Sequence, residues 1–272
     1  MRASNGKSCI MTVFNIVFLG AGNVATHLAQ TLSRQGHRIL QVYSRTQASA
    51  AALADLVQAS YTTDIKCLQP DADIYICALK DAVLAEVLAQ VPDFGKALWL
   101  HTSGSMPLSV FEPYTCSCGV FYPLQTFSRQ RAISFERVPF CLEANRKEDL
   151  VLMKTLASQL SEDVREMSSA QRQNLHVAAV FACNFTNSLY AMAQEILAYD
   201  HIDKDILQAL IEETAVKLRG HDAKDVQTGP AVRMDRNVID KHIAWLQARG
   251  QADKARLYEE MSRIIYERSQ QS

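Results

Sequence analysis

Phe14-Asn15-Ile16-Val17-Phe18-Leu19-Gly20-Ala21-Gly22, followed by Asn23-Val24-Ala25, is the stretch that decides the reading of this chain. The apolar run 14–19 mixes aromatic and β-branched side chains, as a parallel strand covered on both faces requires. Gly20 ends it. From residue 23 to 35 the apolar positions Val24, Leu28 and Leu32 recur at helical spacing, and Gly36 stands where a helix C-cap belongs. Gly20-x-Gly22-x-x-Ala25 therefore sits on a strand-turn-helix corner. The first glycine permits the tight turn, the second lets backbone approach a pyrophosphate, and Ala25 permits close packing of helix on strand. The helix start adds N–H groups and a partial positive charge. Gly20, Ala21, Gly22, Asn23 and Val24 are the expected phosphate contacts; a structural glycine turn is the alternative.

Outward from that corner, strands and helices alternate. Strands are expected at 39–43, 73–79 and 97–101, with helices at 47–57 and 82–90, the latter capped by Asp81. Further strands are expected at 119–122, 138–143 and 164–167, with a helix at 147–160 between the last two. Such alternation implies a doubly wound, mostly parallel sheet of Rossmann type, because right-handed crossovers need a helix between parallel neighbours. After Ser168 strand signals stop. Residues 171–199 read as one long helix, apolar around most of its circumference and so expected to be buried on several sides. Helices at 204–219, 238–249 and 252–268 follow. The expected division is an α/β domain over 12–167 and an all-helical domain over 168–272.

The chain has 272 residues, 48% hydrophobic and 21% charged, with a formal charge of -1. Two modest domains fit that length. The near-neutral balance gives no reason to expect nucleic acid or a membrane surface as a partner, and a small-molecule ligand stays open. Seven cysteines scattered through strands and helices, Cys77, Cys141 and Cys183 among them, suggest buried thiols in a reducing, cytoplasmic setting. Cys116 and Cys118 lack a second pair at zinc spacing, so no metal is expected. Residues 1–11 have no apolar h-region; they read as a disordered leader, with Met11 a second possible start.

The end of the second strand discriminates between cofactors. An acidic residue there would bind the ribose hydroxyls of NAD, whereas this chain has Tyr43-Ser44-Arg45-Thr46. Arg45 can grip a 2'-phosphate with its planar fork, and Ser44 and Thr46 add hydroxyls, which favours NADP(H). Ligands in open α/β sheets lie beyond the carboxyl ends of the strands, so Ala78, Leu79, Lys80 and His101 should border the cofactor and Ser103 should face a substrate. His101 is also a rival proton donor, and Lys80 a rival helix cap. Gln125 and Thr126 offer hydrogen bonds to substrate or belong to a packed turn. Arg233 could bind a substrate carboxylate with Asp235 orienting it, or Asp235 could cap the next helix.

Taken together, the motifs resemble those of Rossmann-like NADP oxidoreductases of the 6-phosphogluconate dehydrogenase superfamily. The N-terminal half is similar to the cofactor domains of pyrroline-5-carboxylate reductase and the deazaflavin-dependent NADP oxidoreductases. His101-Thr102-Ser103-Gly104-Ser105, Tyr122-Pro123-Leu124-Gln125-Thr126-Phe127 and Thr228-Gly229-Pro230-Ala231-x-Arg233-x-Asp235 resemble the subfamily whose helical C-terminal domain has no assigned function. The resemblance implies a reductase acting on a small carbonyl or imine, such as a ketopantoate-like 2-oxo acid or a cyclic imine. In that superfamily the long helix carries a catalytic polar residue, often lysine. Here His176 and Asn184 stand on that helix, and His176 is the expected acid with Asn184 and Ser103 positioning substrate. Asn184 and Asn187 on an apolar helix suggest a lined pocket or a homodimer contact through the helical domain. A non-catalytic NADP-binding sensor is the second reading, and an interaction protein that binds no nucleotide the third.

Overall fold

A computed structural model describes residues 12–128 and 130–271. The expected leader over residues 1–11 lies outside them. Eight strands, Asn15–Leu19 (β1), Arg38–Tyr43 (β2), Ser60–Thr62 (β3), Ile74–Cys77 (β4), Leu98–His101 (β5), Cys118–Pro123 (β6), Phe140–Ala144 (β7) and Val164–Glu166 (β8), form one sheet in the order β3-β2-β1-β4-β5-β6-β7-β8. All neighbours are parallel except β6 and β7, which pair antiparallel. No crossover helix separates that pair, so the chain turns back instead of passing over the sheet.

Alternate residues of β1 explain its unbroken apolar run. Ile16 and Phe18 pack with Leu28, Leu32 and Leu53 on one face, while Val17 and Leu19 pack with Leu84, Trp99 and Phe111 on the other. Leu28 and Leu32 lie on helix Asn23–Arg34 (α1), Leu53 on Gln47–Val57 (α2) and Leu84 on Asp81–Leu88 (α3); Lys147–Ser158 (α4) covers the sheet farther along. Tyr75 and Trp99 stack across β4 and β5 with centroids 4.2 Å apart. One strand, β3, was not anticipated: its Ser-Tyr-Thr is exposed or half-buried at the sheet edge and carries no hydrophobic pattern. The cap of α3 also differs. Lys80 is the N-cap and Asp81 the first helical residue, its carboxylate accepting a hydrogen bond from the Ser105 hydroxyl.

The expected single helix over 171–199 is three consecutive elements: Ser169–Ala179 (α5), a π-helical segment Val180–Phe185, and Thr186–Ala198 (α6). The expectation that its apolar circumference is buried fails within this chain. Val177, Phe181, Phe185 and Leu189 are exposed by 53%, 65%, 50% and 41%. Apolar periodicity states that a face needs cover, not that the same chain supplies it. Cys183 is exposed too, whereas Cys77 and Cys141 are buried as expected.

The chain divides into two compact units, one ending at Cys183 and one spanning Asn184–Ser272. Strands end with β8, yet the first unit keeps α5. The second contains α6, Gln208–Val216 (α7), Arg236–Ala248 (α8) and Ala252–Ser269 (α9). Ile239, Leu246 and Ala255 are buried in it, and Lys254 on α9 pairs with Glu195 on α6 at 2.7 Å. Among the described residues no helix is long and apolar enough to cross a membrane.

Candidate active site

Gly20 has φ +113°, a conformation other residues seldom adopt, and a side chain there would collide with the Ala78 carbonyl at the end of β4. Its N–H donates to Tyr43 O at 2.8 Å, so the ends of β1, β2 and β4 converge on this turn. Strand order reverses between β1 and β4, where a doubly wound sheet opens its ligand crevice. A Cβ on Gly22 would meet nothing within 4 Å, and Ala25 is fully buried against the strand. Gly22 caps α1 without a side-chain hydrogen bond, and the first turn carries no acidic residue. Its N–H groups and partial positive charge are thus left for an external anion.

At the end of β2, Arg45 and Thr46 are exposed and Ser44 half-buried. Ser44 Oγ accepts from the Thr46 N–H at 3.3 Å, which shapes the turn, and among the described residues Arg45 has no carboxylate partner. A glycine turn open above Gly22, an uncapped helix start and an unopposed guanidinium at the ribose end fit a phosphate-bearing dinucleotide.

The turn after β5 forms the next wall. His101 is fully buried, stacked near Phe111, and its Nδ1 accepts from the Ser103 N–H at 3.2 Å. Burial pushes its pKa down to about 4, aided by the Arg172 charge and opposed by Pro107, Asp81 and Glu143. A buried imidazole that accepts from the Ser103 N–H holds the turn. Ser103 Oγ accepts from the N–H groups of Ser105 at 3.1 Å and Met106 at 3.0 Å. Its first role is therefore to shape Ser103-Gly104-Ser105. Lys80 is exposed and Ala78 and Leu79 half-buried at the end of β4.

Helix α5 brings His176 to this turn. Ser168 and Gln171 form a capping box, so the helix starts at Ser169, two residues before the sequence-based start. Arg172, 1% exposed, donates to Glu143 Oε2 at 2.5 Å, to the Met106 carbonyl at 2.6 Å and to Ser169 Oγ at 3.2 Å. Burial raises the Glu143 pKa, but hydrogen bonds from Arg172 and Ser169 outweigh it and hold the carboxyl below its usual range. One turn later His176 is half-buried, its Nδ1 lying 3.2 Å from the Tyr122 hydroxyl and its ring against Gly104. Ser103 and His176, 73 positions apart, are thus joined through Gly104 at the carboxyl ends of β5 and β6. Arg172, Glu143 and Tyr122 escaped sequence reading; the Ser168-x-x-Gln171 box was the signal that could have placed the helix correctly.

Other expected site residues lie elsewhere or differently. Gln125 and Thr126 are exposed, and Gln125 Oε1 accepts from the Thr126 N–H at 2.8 Å. Their segment runs to α1, where Asn23 Nδ2 donates to Phe127 O and His27 Nε2 to Ser128 O, at 2.8 and 2.9 Å. That puts the segment beside the phosphate turn. Asn184 and Asn187 are exposed, which removes the burial cost that made them conspicuous. Within the second unit Arg233 is exposed, and among the described residues it makes no ion pair with Asp235. Asp235 instead caps α8 through its backbone, accepting from Val238 and Ile239 N–H groups.

Fold and turn together define a nicotinamide-dinucleotide-binding protein of Rossmann type. Residues 15–98 match a family described as NADP oxidoreductase, coenzyme F420-dependent, and residues 138–265 match a domain of unknown function, DUF2520. No curated protein sequence matches the chain. Among solved structures, a Bacteroides fragilis protein provisionally named an NADP oxidoreductase is 48% identical, with TM-score 0.89, over 94% of this chain and 98% of its own. An Aspergillus terreus reductive aminase, solved with NADPH and ethyl-5-oxohexanoate, shares the fold at 13% identity and TM-score 0.72, over 96% and 95% of the two chains. Plasmodium falciparum pyrroline carboxylate reductase with NADP bound does so at 14% and 0.59, over 93% and 98%. The chain belongs to this family of NADP oxidoreductases, and NADP(H) is its cofactor.

Proposed function

We propose that the chain is a reductase of a small carbonyl or imine compound, carboxylate-bearing, with His176 as the proton donor. The observation that carries this reading is the half-buried imidazole set against Ser103-Gly104 at the strand ends where Rossmann sheets hold their reacting ligands. When bound, NADPH supplies the hydride. What the chain itself contributes is orientation and a proton. Arg172 fixes the start of α5, and His176, one turn on, presents an imidazole that can give up a proton to substrate. Ser103 holds the turn against which that ring packs at Gly104. Imine-acting relatives of the same fold, the reductive aminase and pyrroline carboxylate reductase, support the substrate class.

The experiment is turnover of NADPH by purified protein against a panel of 2-oxo acids and cyclic imines, repeated with His176→Ala. We expect at least one substrate-dependent oxidation, and a loss in kcat of about 100-fold or more in the variant, the usual contribution of a general acid. Tight NADPH binding with no turnover across the panel would sink the reductase reading in favour of a sensor.

A further inference from the structure

Three observations converge on the contact between Tyr122 and His176. The Tyr122 hydroxyl stands 3.2 Å from His176 Nδ1. The two rings meet nearly edge to face, 71° apart in plane with centroids 6.1 Å apart. Gly104 lacks the single carbon that would prevent this: a Cβ there would lie 2.5 Å from His176 Nδ1, 2.8 Å from its Cγ and 2.9 Å from Tyr122 Cζ. Backbone conformation does not demand glycine at this position, since Gly104 is not among the residues with positive φ. The missing side chain provides room for the ring and nothing else.

We infer that Tyr122 is a positioning residue for the reduction: its hydroxyl holds Nδ1 of His176, so that the imidazole, seated in the space Gly104 leaves, exchanges a proton with substrate at Nε2 alone. The inference rests on the reading of His176 as the proton donor. A phenol oxygen suits Nδ1 in both charge states of the ring, accepting from Nδ1–H in the imidazolium and in the neutral ring that has lost its Nε2 proton. Burial pushes the Tyr122 hydroxyl up to about 12, with smaller upward contributions from Cys141 and Cys183 and a downward one from Arg172, so the phenol keeps its proton near neutral pH. In the transfer, the Nε2–H bond of the imidazolium breaks and its electron pair stays on nitrogen. The proton passes to the substrate oxygen or nitrogen made basic by the arriving hydride, and solvent then reprotonates Nε2. Nδ1 keeps its proton throughout and donates it to the Tyr122 oxygen. A ring without that anchor would present either nitrogen, and part of the enzyme would sit in an unproductive orientation.

Tyr122→Phe removes the hydroxyl and keeps the ring, and Gly104→Ala restores the carbon. Nitrogen NMR of the full-length protein should show both ring nitrogens of His176 shifting in Tyr122→Phe, and the tautomer ratio of the neutral ring moving towards that of imidazole in water. With a substrate found by the panel, kcat should fall about tenfold with KM little changed, because orientation of the acid and not ground-state binding is lost. Unchanged His176 resonances in Tyr122→Phe overturn the inference whatever the activity. Shifted resonances with turnover surviving His176→Ala would remove the proton-donor reading instead, and with it the functional half of the inference. Should Tyr122→Phe be insoluble, Gly104→Ala displaces the same ring and carries the same two readouts.

Discussion

Arg45 stands exposed at the carboxyl end of β2, where the adenosine ribose of a bound dinucleotide lies in a Rossmann fold, and Tyr43-Ser44 before it supplies no carboxylate. A 2'-phosphate there would gain a charge-assisted, two-pronged contact, and a bare ribose hydroxyl would not. Arg45→Ala is expected to weaken NADPH binding by about 1.5 to 3 kcal/mol, the range for hydrogen bonds to charged groups, and to leave NADH binding nearly unchanged. Fluorescence titration with both cofactors measures this, and equal weakening of the two would refute the phosphate role. Residues of this kind are readable in sequence because their requirement is local. Gly20 must adopt φ +113° beside the Ala78 carbonyl, and the motif records that demand within six positions. His176, Tyr122 and Gly104 meet across 54 and 72 positions, by tertiary packing, so no spacing could announce them.

At the scale of elements, α5 is the part whose placement matters most to the site, and a buried charge pair fixes it. Arg172 is 1% exposed, its two terminal nitrogens are spent on Glu143, Met106 and Ser169, and Leu108 N–H donates to the same Ser169 hydroxyl at 3.0 Å. Removing one partner leaves an uncompensated buried charge. Arg172→Met should therefore destabilise the fold by about 3 to 5 kcal/mol in urea unfolding, while Arg172→Met combined with Glu143→Met should recover much of the loss. The sign with pH follows from Glu143. Its carboxyl titrates below the usual range when folded, so this contribution is present above the unfolded-state pKa and lost as pH falls through the folded one. A double variant no more stable than Arg172→Met alone would show that the anchoring comes from elsewhere. Element boundaries went astray where pattern and packing diverge: β3 has no apolar alternation to read, and the π-helical segment Val180–Phe185 hides inside an apolar run that looks uniformly α-helical. The alternating strands and helices of the sheet, by contrast, are legible because each must bury both faces.

At the scale of the whole molecule, the apolar surface of the helical unit asks for a partner. Ile202 in the turn after α6, Ile206 in the short 3-10 helix Lys204–Leu207 and Leu210 on α7 are exposed by 45%, 69% and 63%, with Val216 and Leu218 exposed beyond them. Single exposed apolar residues are ordinary, but several of them close together in sequence mark a surface to be covered. A second copy of this chain is the occupant expected, since closed two-fold pairing is the commonest solution for soluble proteins. Light scattering should therefore give twice the mass of one chain at micromolar concentration. Fully burying one Ile or Leu contributes about 1.5 to 3 kcal/mol, so Ile206→Lys should weaken the dimer by about 10- to 100-fold, at about 1.4 kcal/mol per decade. Because Ile206 touches so little of its own chain, circular dichroism and thermal unfolding of the dissociated variant should retain the wild-type helical content. A monomeric wild type at micromolar concentration would leave this face to some other ligand, and an Ile206→Lys protein that unfolds would mean the face is core after all.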